Sequence, residues 1–298
     1  MTIGNVETVS WRAIDDLRPL TAATSRADYH PKPDVIETFQ RDGVVLLSGE
    51  FVEWVEPLRA GLERNLENSE QYAFPSESTT ASEAGRFFDS YCNWQLIPEY
   101  LAFVLTSKAA SMAAAFMGSN SAQLFHEHAF AKESGTQKAT PWHQDLPYYC
   151  VDGSQTVSIY IALDDIAAAS AVQFAIGSHL SGELHLPRAF ADGSNYSTAD
   201  HTMTPVPDLT DAPTLKSGLT SGDALLFSFR TLHGSTDSKI NGRRRAFSTR
   251  WLGDDVSYCE RPGETSPPLN DLGLKPGERM RDDWFPVLWP NNPTPKSC

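Results

Sequence analysis

The chain has 298 residues, 40% of them hydrophobic, and a formal net charge of -14 at pH 7. This length and hydrophobic fraction allow a sizeable core and exclude a largely disordered chain, so we expect a single domain over residues 1–298. The acidic balance repels phosphate backbones and anionic lipid, and nucleic acid is therefore not an expected partner.

Cysteine spacing and hydropathy bear on the compartment. The four cysteines show no CxxC pairing, which gives no sign of a disulfide framework (Cys92, Cys150, Cys259 and Cys298). No run of 18 apolar residues predicts a membrane span, and the first residues do not resemble a secretory signal. A cytoplasmic location is the expectation that remains.

The first part of the chain predicts an arm followed by helices. Residues 1–32 are rich in Ser, Thr and Ala and predict an extended or loosely packed arm. Helical patterns follow, the first beginning near Pro33 and two longer ones covering residues 51–68 and 98–117. Between the first two, Asp42–Gly43 predicts a turn and residues 44–47 a short buried strand.

After Gly118 the pattern changes to short strands separated by turn residues. The predicted strands cover residues 123–132, 155–163, 171–176, 224–229 and 244–251. Such a series is typical of a β-sandwich or barrel. Residues 186–220 are rich in Pro, Asp, Thr and Ser and predict a long insertion that serves as a lid. In the tail, Trp284, Phe285 and Trp289 are expected to anchor the chain end.

The segment TPWHQDLPYY contains the most informative pair of polar residues. His143 and Asp145 lie two positions apart, and on a strand such residues project from the same face. His233, which follows a distant apolar strand, is the expected third ligand. Two histidines and one carboxylate leave three open positions on an octahedral metal, as iron(II) oxygenases require for a co-substrate and dioxygen. The hypothesis is therefore an iron(II) site.

A 2-oxoglutarate co-substrate would need a cation for its distal carboxylate. Arginine matches a carboxylate through two parallel hydrogen bonds, and residues 241–251 (NGRRRAFSTRW) supply candidates soon after His233. Arg243 and Arg245 have the opposite strand parity to Arg244, which leaves a one-residue ambiguity. The spacing is compatible with a hairpin that returns the chain beside His233.

The sequence resembles the phytanoyl-CoA dioxygenase family, which includes ectoine hydroxylases. The resemblance runs from about residue 33 to residue 290 and is strongest in TPWHQDLPYY, in the Gly177–His179 segment and in HGSTDSKINGRRRAFSTRW. It implies a mainly β fold with flanking helices, namely a double-stranded β-helix or cupin-like jelly roll. It also implies that the metal ligands are His143, Asp145 and His233.

The same resemblance implies further roles. Arg244, eleven residues after His233, and Ser235 would bind the distal carboxylate of 2-oxoglutarate, while His128 and Tyr160 would contact the co-substrate. The implied reaction uses iron(II), 2-oxoglutarate and dioxygen to oxidise a C–H bond of a small molecule, with release of succinate and carbon dioxide.

Several alternatives stay open at this stage. We interpret His126 as polar lining of the pocket or as part of a satisfied core pair rather than a metal ligand. A non-catalytic, cupin-type module that binds a metal or ligand is the alternative function, and Lewis-acid catalysis is a third. The substrate and the oligomeric state are left unassigned. The acidic balance favours a small molecule over an acyl-CoA.

Overall fold

The computed structural model describes residues 11–77, 85–135, 139–188, 202–235, 242–263, 265–269 and 272–290. The α-helices in these ranges are α1 (Arg18–Ala22), α2 (Pro33–Asp42), α3 (Val55–Glu67), α4 (Pro98–Thr106) and α5 (Ala109–Met117). The strands are β1 (Val44–Leu47), β2 (Pro75–Glu77), β3 (Phe87–Tyr91), β4 (Ala122–Lys132), β5 (Thr140–His143), β6 (Val151–Asp152), β7 (Thr156–Ala162), β8 (Gln173–Ala175), β9 (Thr214–Lys216), β10 (Ala224–Phe227), β11 (His233–Ser235), β12 (Arg244–Leu252), β13 (Ser257–Tyr258) and β14 (Val287–Trp289).

Most of the predicted helices and strands are confirmed, but the helix expected over residues 98–117 is wrong as a single element. It consists of α4 and α5, which meet at an angle of 50°. The break occurs at Ser107, whose backbone is extended and whose hydroxyl accepts a hydrogen bond from the Ala109 N–H at 3.3 Å. Serine competes in this way for backbone donors and favours helix starts over helix interiors.

Two facing antiparallel sheets form the double-stranded β-helix. The larger sheet has the strand order β1-β10-β7-β12-β4-β3-β2, with β14 paired to β4, and the smaller has the order β5-β11-β8-β9. Their inner faces enclose the cavity described below. A separate two-stranded ladder joins β13 to β6. The expected mainly β jelly roll with flanking helices is confirmed.

The central strand β12 shows how the large sheet separates two environments. Because side chains alternate along a strand, Phe247 and Trp251 project to one face, whereas Arg244, Ala246 and Arg250 project to the other. Phe247 and Trp251 are fully buried in the main hydrophobic core. The other three residues line the cavity.

The helical layer covers the outer face of the large sheet. Leu58 and Leu62 of α3 join Phe103 of α4 and Met112 of α5 in the same core as Phe247. Helix α2 begins at Pro33 and ends at Gly43, which is in the left-handed region with φ 76°. A Cβ at Gly43 would lie 2.3 Å from the His179 ring, so this turn requires glycine on two grounds.

Hydropathy within the described ranges gives no single helix that is long and apolar enough to cross a membrane. The bent pair α4 and α5 meets the length and composition requirement only when the two helices are taken together.

The described segments nearest the two ends of the chain pack against each other. Residues 1–10 and 291–298, and with them Cys298, lie outside the described residues. Leu17 is fully buried and anchors the described part of the expected arm, most of whose other residues are exposed or partly exposed. Trp11 contacts Trp284 and Phe285, with ring centroids 6.2 and 5.9 Å away. These contacts, and the pairing of β14 with β4, agree with the expected anchoring of the tail.

The insertion expected over residues 186–220 is only partly described, because residues 189–201 lie outside the described ranges. Its second half is not a plain surface loop. Residues Thr214–Lys216 form β9, which pairs with β8 at the edge of the small sheet. Its first residues bind Tyr148, since the Arg188 N–H donates to the Tyr148 hydroxyl and that hydroxyl donates to the Arg188 carbonyl, both at 2.7 Å.

One carboxyl group is buried on the helical side of the large sheet. Glu127 of β4 is fully buried, and one of its oxygens accepts the Asn93 N–H at 2.5 Å. Burial raises the pKa of Glu127 to about 8, from a usual value of 4.5. Between these values the folded chain retains a proton that the unfolded chain has released, so the free energy of unfolding falls as the pH rises.

Glu127→Gln should remove this pH dependence, because the amide keeps the hydrogen-bond acceptor and carries no charge. We expect the melting temperature of the variant relative to the parent to rise steadily between pH 5 and pH 8, as followed by thermal denaturation. Glu53→Gln, at an exposed glutamate, is the control, and its melting temperature should change with pH in parallel with that of the parent. Parallel curves for Glu127→Gln would contradict the assignment of Glu127 as the buried titrating group.

Candidate active site

Two histidines face each other on neighbouring strands of the small sheet. In the pairing of β11 with β5, His233 lies directly opposite His143, and their ring centroids are 4.2 Å apart. Gly234 permits this close pairing, because a Cβ there would lie 2.9 Å from the Thr140 carbonyl oxygen. Any larger residue would push the strands apart, and the two imidazoles with them.

Asp145 joins the histidines by a different route from the one expected. Strand β5 ends at His143, and Asp145 has helical backbone angles (φ -71°, ψ -41°) at the start of a 3₁₀ turn over Leu146–Tyr148. The expectation that His143 and Asp145 share one strand is therefore wrong. Pro147 lacks an N–H and cannot continue a strand ladder, while the Leu146 N–H binds the Phe229 carbonyl instead, at 3.0 Å.

Backbone carbonyls orient both imidazole rings. The Nδ1 of His143 lies 2.8 Å from the Pro141 carbonyl, and the Nδ1 of His233 lies 3.0 Å from the Thr231 carbonyl. A carbonyl only accepts, so each Nδ1 carries the proton and each Nε2 presents its lone pair. Burial, with the neighbouring His233, lowers the pKa of His143 to about 3, and burial also lowers the pKa of His233. Both rings are therefore neutral near pH 7, as metal ligation requires.

The two oxygens of Asp145 have different surroundings. Its Oδ2 accepts a hydrogen bond from the Ser158 hydroxyl at 2.9 Å and lies 3.6 Å from Arg250 Nε. Its Oδ1 lies 3.7 Å from His143 Nε2 and 3.6 Å from His233 Nε2. Burial opposes ionisation, but the charge of Arg250, with smaller effects of the histidines and Ser158, lowers the pKa of Asp145 to about 2. The carboxylate is thus ionised, with Oδ1 toward the histidines.

These three residues fit a divalent metal. One ligand atom from each of His143, Asp145 and His233 lies within 4.8 Å of the others, and all three side chains are buried. The donor set of two neutral imidazoles and one carboxylate suits iron(II), and carbonyls or a hydroxyl already hold the other polar atom of each ligand. The structure therefore brings together the three residues that the sequence predicted as ligands.

The cavity between the sheets extends from this cluster. Its floor consists of cavity-facing residues of β3, β4, β7 and β12, and aromatic side chains form much of its wall. In register across the sheet, His126, Arg250 and Ser158 form one row beneath Asp145, and His128, Ser248 and Tyr160 form the next. The hydroxyl of Ser248 has no hydrogen-bond partner among the described residues.

Arg244 lines the cavity that the metal cluster also borders. Its Nη2 donates to the Tyr160 hydroxyl at 3.2 Å, and its Nη1 donates to the Ser170 carbonyl. The expected hairpin from His233 to this arginine is wrong, because β11 belongs to the small sheet and β12 to the large one. Arg244 therefore faces His233 across the cavity rather than along a hairpin.

The two arginines next to Arg244 in the sequence form ion pairs outside the cavity. Arg243 forms an ion pair with Glu63 at 2.6 Å. Arg245 forms ion pairs with Glu63 and Asp164, both at 2.7 Å. Of the three consecutive arginines, Arg244 alone lines the cavity.

The remaining sequence-predicted residues also line the cavity. Ser235 accepts the Thr140 N–H at 3.0 Å, which joins β11 to β5. The Nε2 of His128 lies 3.1 Å from an Asp89 oxygen, and burial lowers the pKa of His128. His126 is buried in the cavity wall, and its Nε2 has no hydrogen-bond partner in the described ranges. The interpretation of His126 as pocket lining agrees with this position, whereas a satisfied core pair does not.

The sequence reasoning missed three polar residues of the site: Arg250, Ser158 and Asp89. Arg250 and Ser158 lie on strands that were predicted, at positions with the same parity as Arg244 and Tyr160 respectively. Parity alone could therefore have placed both of them in the cavity. Asp89 lies on β3, which was not predicted, and the sequence offered no comparable signal for it.

Comparison of sequences gives one family. The model of the phytanoyl-CoA dioxygenase (PhyH) family matches residues 39–246 of the chain. No curated protein matches the chain by sequence.

Comparison of structures gives similar folds at low sequence identity. The non-haem α-ketoglutarate-dependent carbocyclase SnoK from nogalamycin biosynthesis is 20% identical, with a TM-score of 0.68 over 89% of this chain and 99% of its own. The epimerase SnoN, in complex with Fe³⁺, α-ketoglutarate and nogalamycin RO, is 19% identical, with a TM-score of 0.65 over 86% of this chain and 97% of its own. EctD from S. alaskensis, in its apoform, is 14% identical, with a TM-score of 0.60 over 76% of this chain and 80% of its own.

His143→Ala removes one of the three ligands and should abolish tight metal binding. Loss of an outer hydrogen-bond partner typically lowers metal affinity 10–100-fold, so we expect loss of a direct ligand to exceed about 100-fold. Titration with Mn(II), followed by the electron paramagnetic resonance signal of the unbound ion, measures this. His179→Ala, outside the cavity, is the control and should bind as the parent does. Parental Mn(II) affinity in His143→Ala would contradict the ligand assignment.

Proposed function

The chain belongs to the phytanoyl-CoA dioxygenase family, and from this premise we propose that it oxidises a C–H bond of a small molecule with an apolar body. As a member of this family it is an iron(II)- and 2-oxoglutarate-dependent oxygenase. The observation that carries the proposal is the arrangement of the cavity. A cluster of three ligand atoms, within 4.8 Å of one another, borders the same cavity as the cationic side chain of Arg244.

His143, Asp145 and His233 would hold the iron through Nε2, Oδ1 and Nε2. Together with 2-oxoglutarate and dioxygen, iron(II) supplies the oxidising power for C–H cleavage, while 2-oxoglutarate is converted to succinate and carbon dioxide. The protein keeps the ligands oriented without help from solvent, since the Pro141 and Thr231 carbonyls and the Ser158 hydroxyl fix the second polar atom of each ligand.

Arg244 would bind the distal carboxylate of 2-oxoglutarate. Its two hydrogen-bond acceptors, the Tyr160 hydroxyl and the Ser170 carbonyl, are both neutral. It forms no ion pair with any described residue, so the guanidinium retains an unneutralised charge inside the cavity. A carboxylate would supply the missing counter-charge. Tyr160 and Ser235 would complete this end of the co-substrate site, and His128 would border it from β4.

The substrate would lie against the aromatic part of the wall. Phe87, Tyr91, Phe130 and Tyr148 line the cavity together with Pro267. Such a surface suits an apolar or aromatic body and excludes water from it. The complex of SnoN with nogalamycin RO is an instance of a similar fold that accommodates a small molecule. Tyr148 in this wall is held in place by its hydrogen bond to the Arg188 carbonyl.

A free small molecule is favoured over an acyl-CoA. The net charge of -14 repels the phosphates of a CoA carrier, and Arg244 is committed to the co-substrate. In an assay of succinate release, we expect uncharged or cationic small molecules with an aromatic or alicyclic body to accelerate turnover. Acyl-CoA thioesters should not accelerate it. Acceleration by acyl-CoA alone would contradict this choice of substrate class.

Arg244→Met should raise the KM for 2-oxoglutarate about 10–100-fold, because a charge-assisted hydrogen-bonded pair is lost at the distal carboxylate. Succinate formation at varied 2-oxoglutarate measures the effect. Arg243→Met, which loses only the ion pair with Glu63, is the matched control on the adjacent residue. An unchanged KM in Arg244→Met would show that another residue binds the distal carboxylate.

A further inference from the structure

A second arginine projects into the cavity from the same strand as Arg244. Arg250 follows Arg244 by six residues on β12, and residues an even number apart share one face of a strand. Both line the cavity. Their Cα atoms are about 20 Å apart along the strand. The Arg244 guanidinium reaches Tyr160, which pairs with Ser248, only two residues before Arg250. Both guanidinium groups therefore belong to the cavity-facing side of one strand.

Arg250 lies directly beside the metal cluster and is only partly paired. Its side chain is 6% exposed, and its Nε donates to the Tyr149 hydroxyl at 3.2 Å and lies 3.6 Å from Asp145 Oδ2. Its Nη1 is buried and has no hydrogen-bond partner among the described residues. A buried, charged donor without an acceptor is costly, and native structures rarely retain one without a purpose.

The missing partner of Nη1 must be an acceptor, and an anion fits best. A guanidinium is always charged and only donates hydrogen bonds. Asp145 does not supply this acceptor, because its approach to the guanidinium is through Nε, 3.6 Å from Oδ2, and its Oδ1 faces the histidines. The neighbouring His126 does not supply it either, since its Nε2 and Arg250 Nη1 are both without a partner among the described residues. An oxygen of a ligand bound next to the metal cluster would supply the missing acceptor.

We propose that Arg250 Nη1 binds the carboxylate adjacent to the keto group of the 2-oxo acid, while Nε stays beside Asp145. This inference rests on the proposed function, which assigns the distal carboxylate of 2-oxoglutarate to Arg244. The two arginines then bind the two ends of one dicarboxylate from a single strand. Arg250 also acts as a positioning residue for Asp145, because its charge lies against Oδ2 and favours Oδ1 as the ligand atom.

Two 2-oxo acids separate the roles of the two arginines. 2-Oxoglutarate has both carboxylates, whereas 2-oxobutyrate has only the one adjacent to the keto group. Binding of each to the Mn(II)-loaded protein is measured by calorimetry without oxygen, at metal concentrations that saturate every variant. Arg250→Met should weaken the binding of both acids by the same factor, about 10–100-fold. Arg244→Met should weaken the binding of 2-oxoglutarate alone, and Arg243→Met should leave the binding of both acids unchanged.

The metal titration separates direct binding from an effect through Asp145. If Arg250 acted only by orienting Asp145, Arg250→Met would weaken Mn(II) binding in the absence of any 2-oxo acid and leave the affinity of the saturated protein for 2-oxobutyrate unchanged. That result would overturn the inference, and so would a loss confined to 2-oxoglutarate. Arg250→Lys keeps the buried charge and replaces Arg250→Met in this test if the methionine variant does not fold. It should bind Mn(II) and recover only part of the 2-oxobutyrate affinity, and full parental affinity would overturn the inference.

Binding of the two acids to the parent protein separates a failure of the co-substrate assignment from a failure of the role given to Arg250. If it binds neither acid when loaded with Mn(II), the proposed co-substrate is wrong. If it binds both acids and Arg250→Met binds them equally well, only the role of Arg250 is wrong.

Discussion

The antiparallel pairing of β5 with β11 is the constraint on which the site depends. It sets His143 opposite His233 and brings the two rings within 4.2 Å. Neutral imidazoles can lie this close because burial keeps both uncharged near neutral pH. Gly234 allows the two strands to approach, and the backbone carbonyls of Pro141 and Thr231 orient the rings. Small shifts between these two strands would change the spacing of the ligands directly.

The large sheet supplies the groups that the small sheet lacks. The small sheet brings neutral imidazoles, whereas β12 brings two arginines and β7 brings Ser158 beneath Asp145. The only charged ligand, Asp145, lies at the junction, on the turn that leaves β5. Two contacts position it there: the Leu146 backbone binds Phe229, in the connection from β10 to β11, and the Asp145 carboxylate binds Ser158 of β7 in the large sheet. The metal site is therefore a property of the closed sandwich and not of either sheet alone.

Residue type and alternation in the sequence predicted much of this arrangement. The strands β4, β7, β10 and β12 could be predicted from residue type and alternation, which need no knowledge of neighbours. Alternation left the choice among the three arginines open, and the family resemblance selected Arg244. The turn at Asp145 could not be predicted, since it depends on Pro147 and on a hydrogen bond to the distant Phe229. The hairpin was wrong for a related reason: short spacing between His233 and Arg244 does not reveal that the chain changes sheets.

The three consecutive arginines at the start of β12 have a consequence for how this chain can vary in length. Arg245 is held by Asp164 and Glu63 outside the cavity, while Phe247 and Trp251 are buried under the helices. A slip of one residue would exchange the two faces, bury Arg244 in the apolar core and place Phe247 in the cavity. The register of β12 is thus set by its own neighbours, β4 and β7, and not by the connection from His233. An insertion or deletion in the connection between the third ligand and the arginine would therefore leave the spatial separation of the two side chains unchanged.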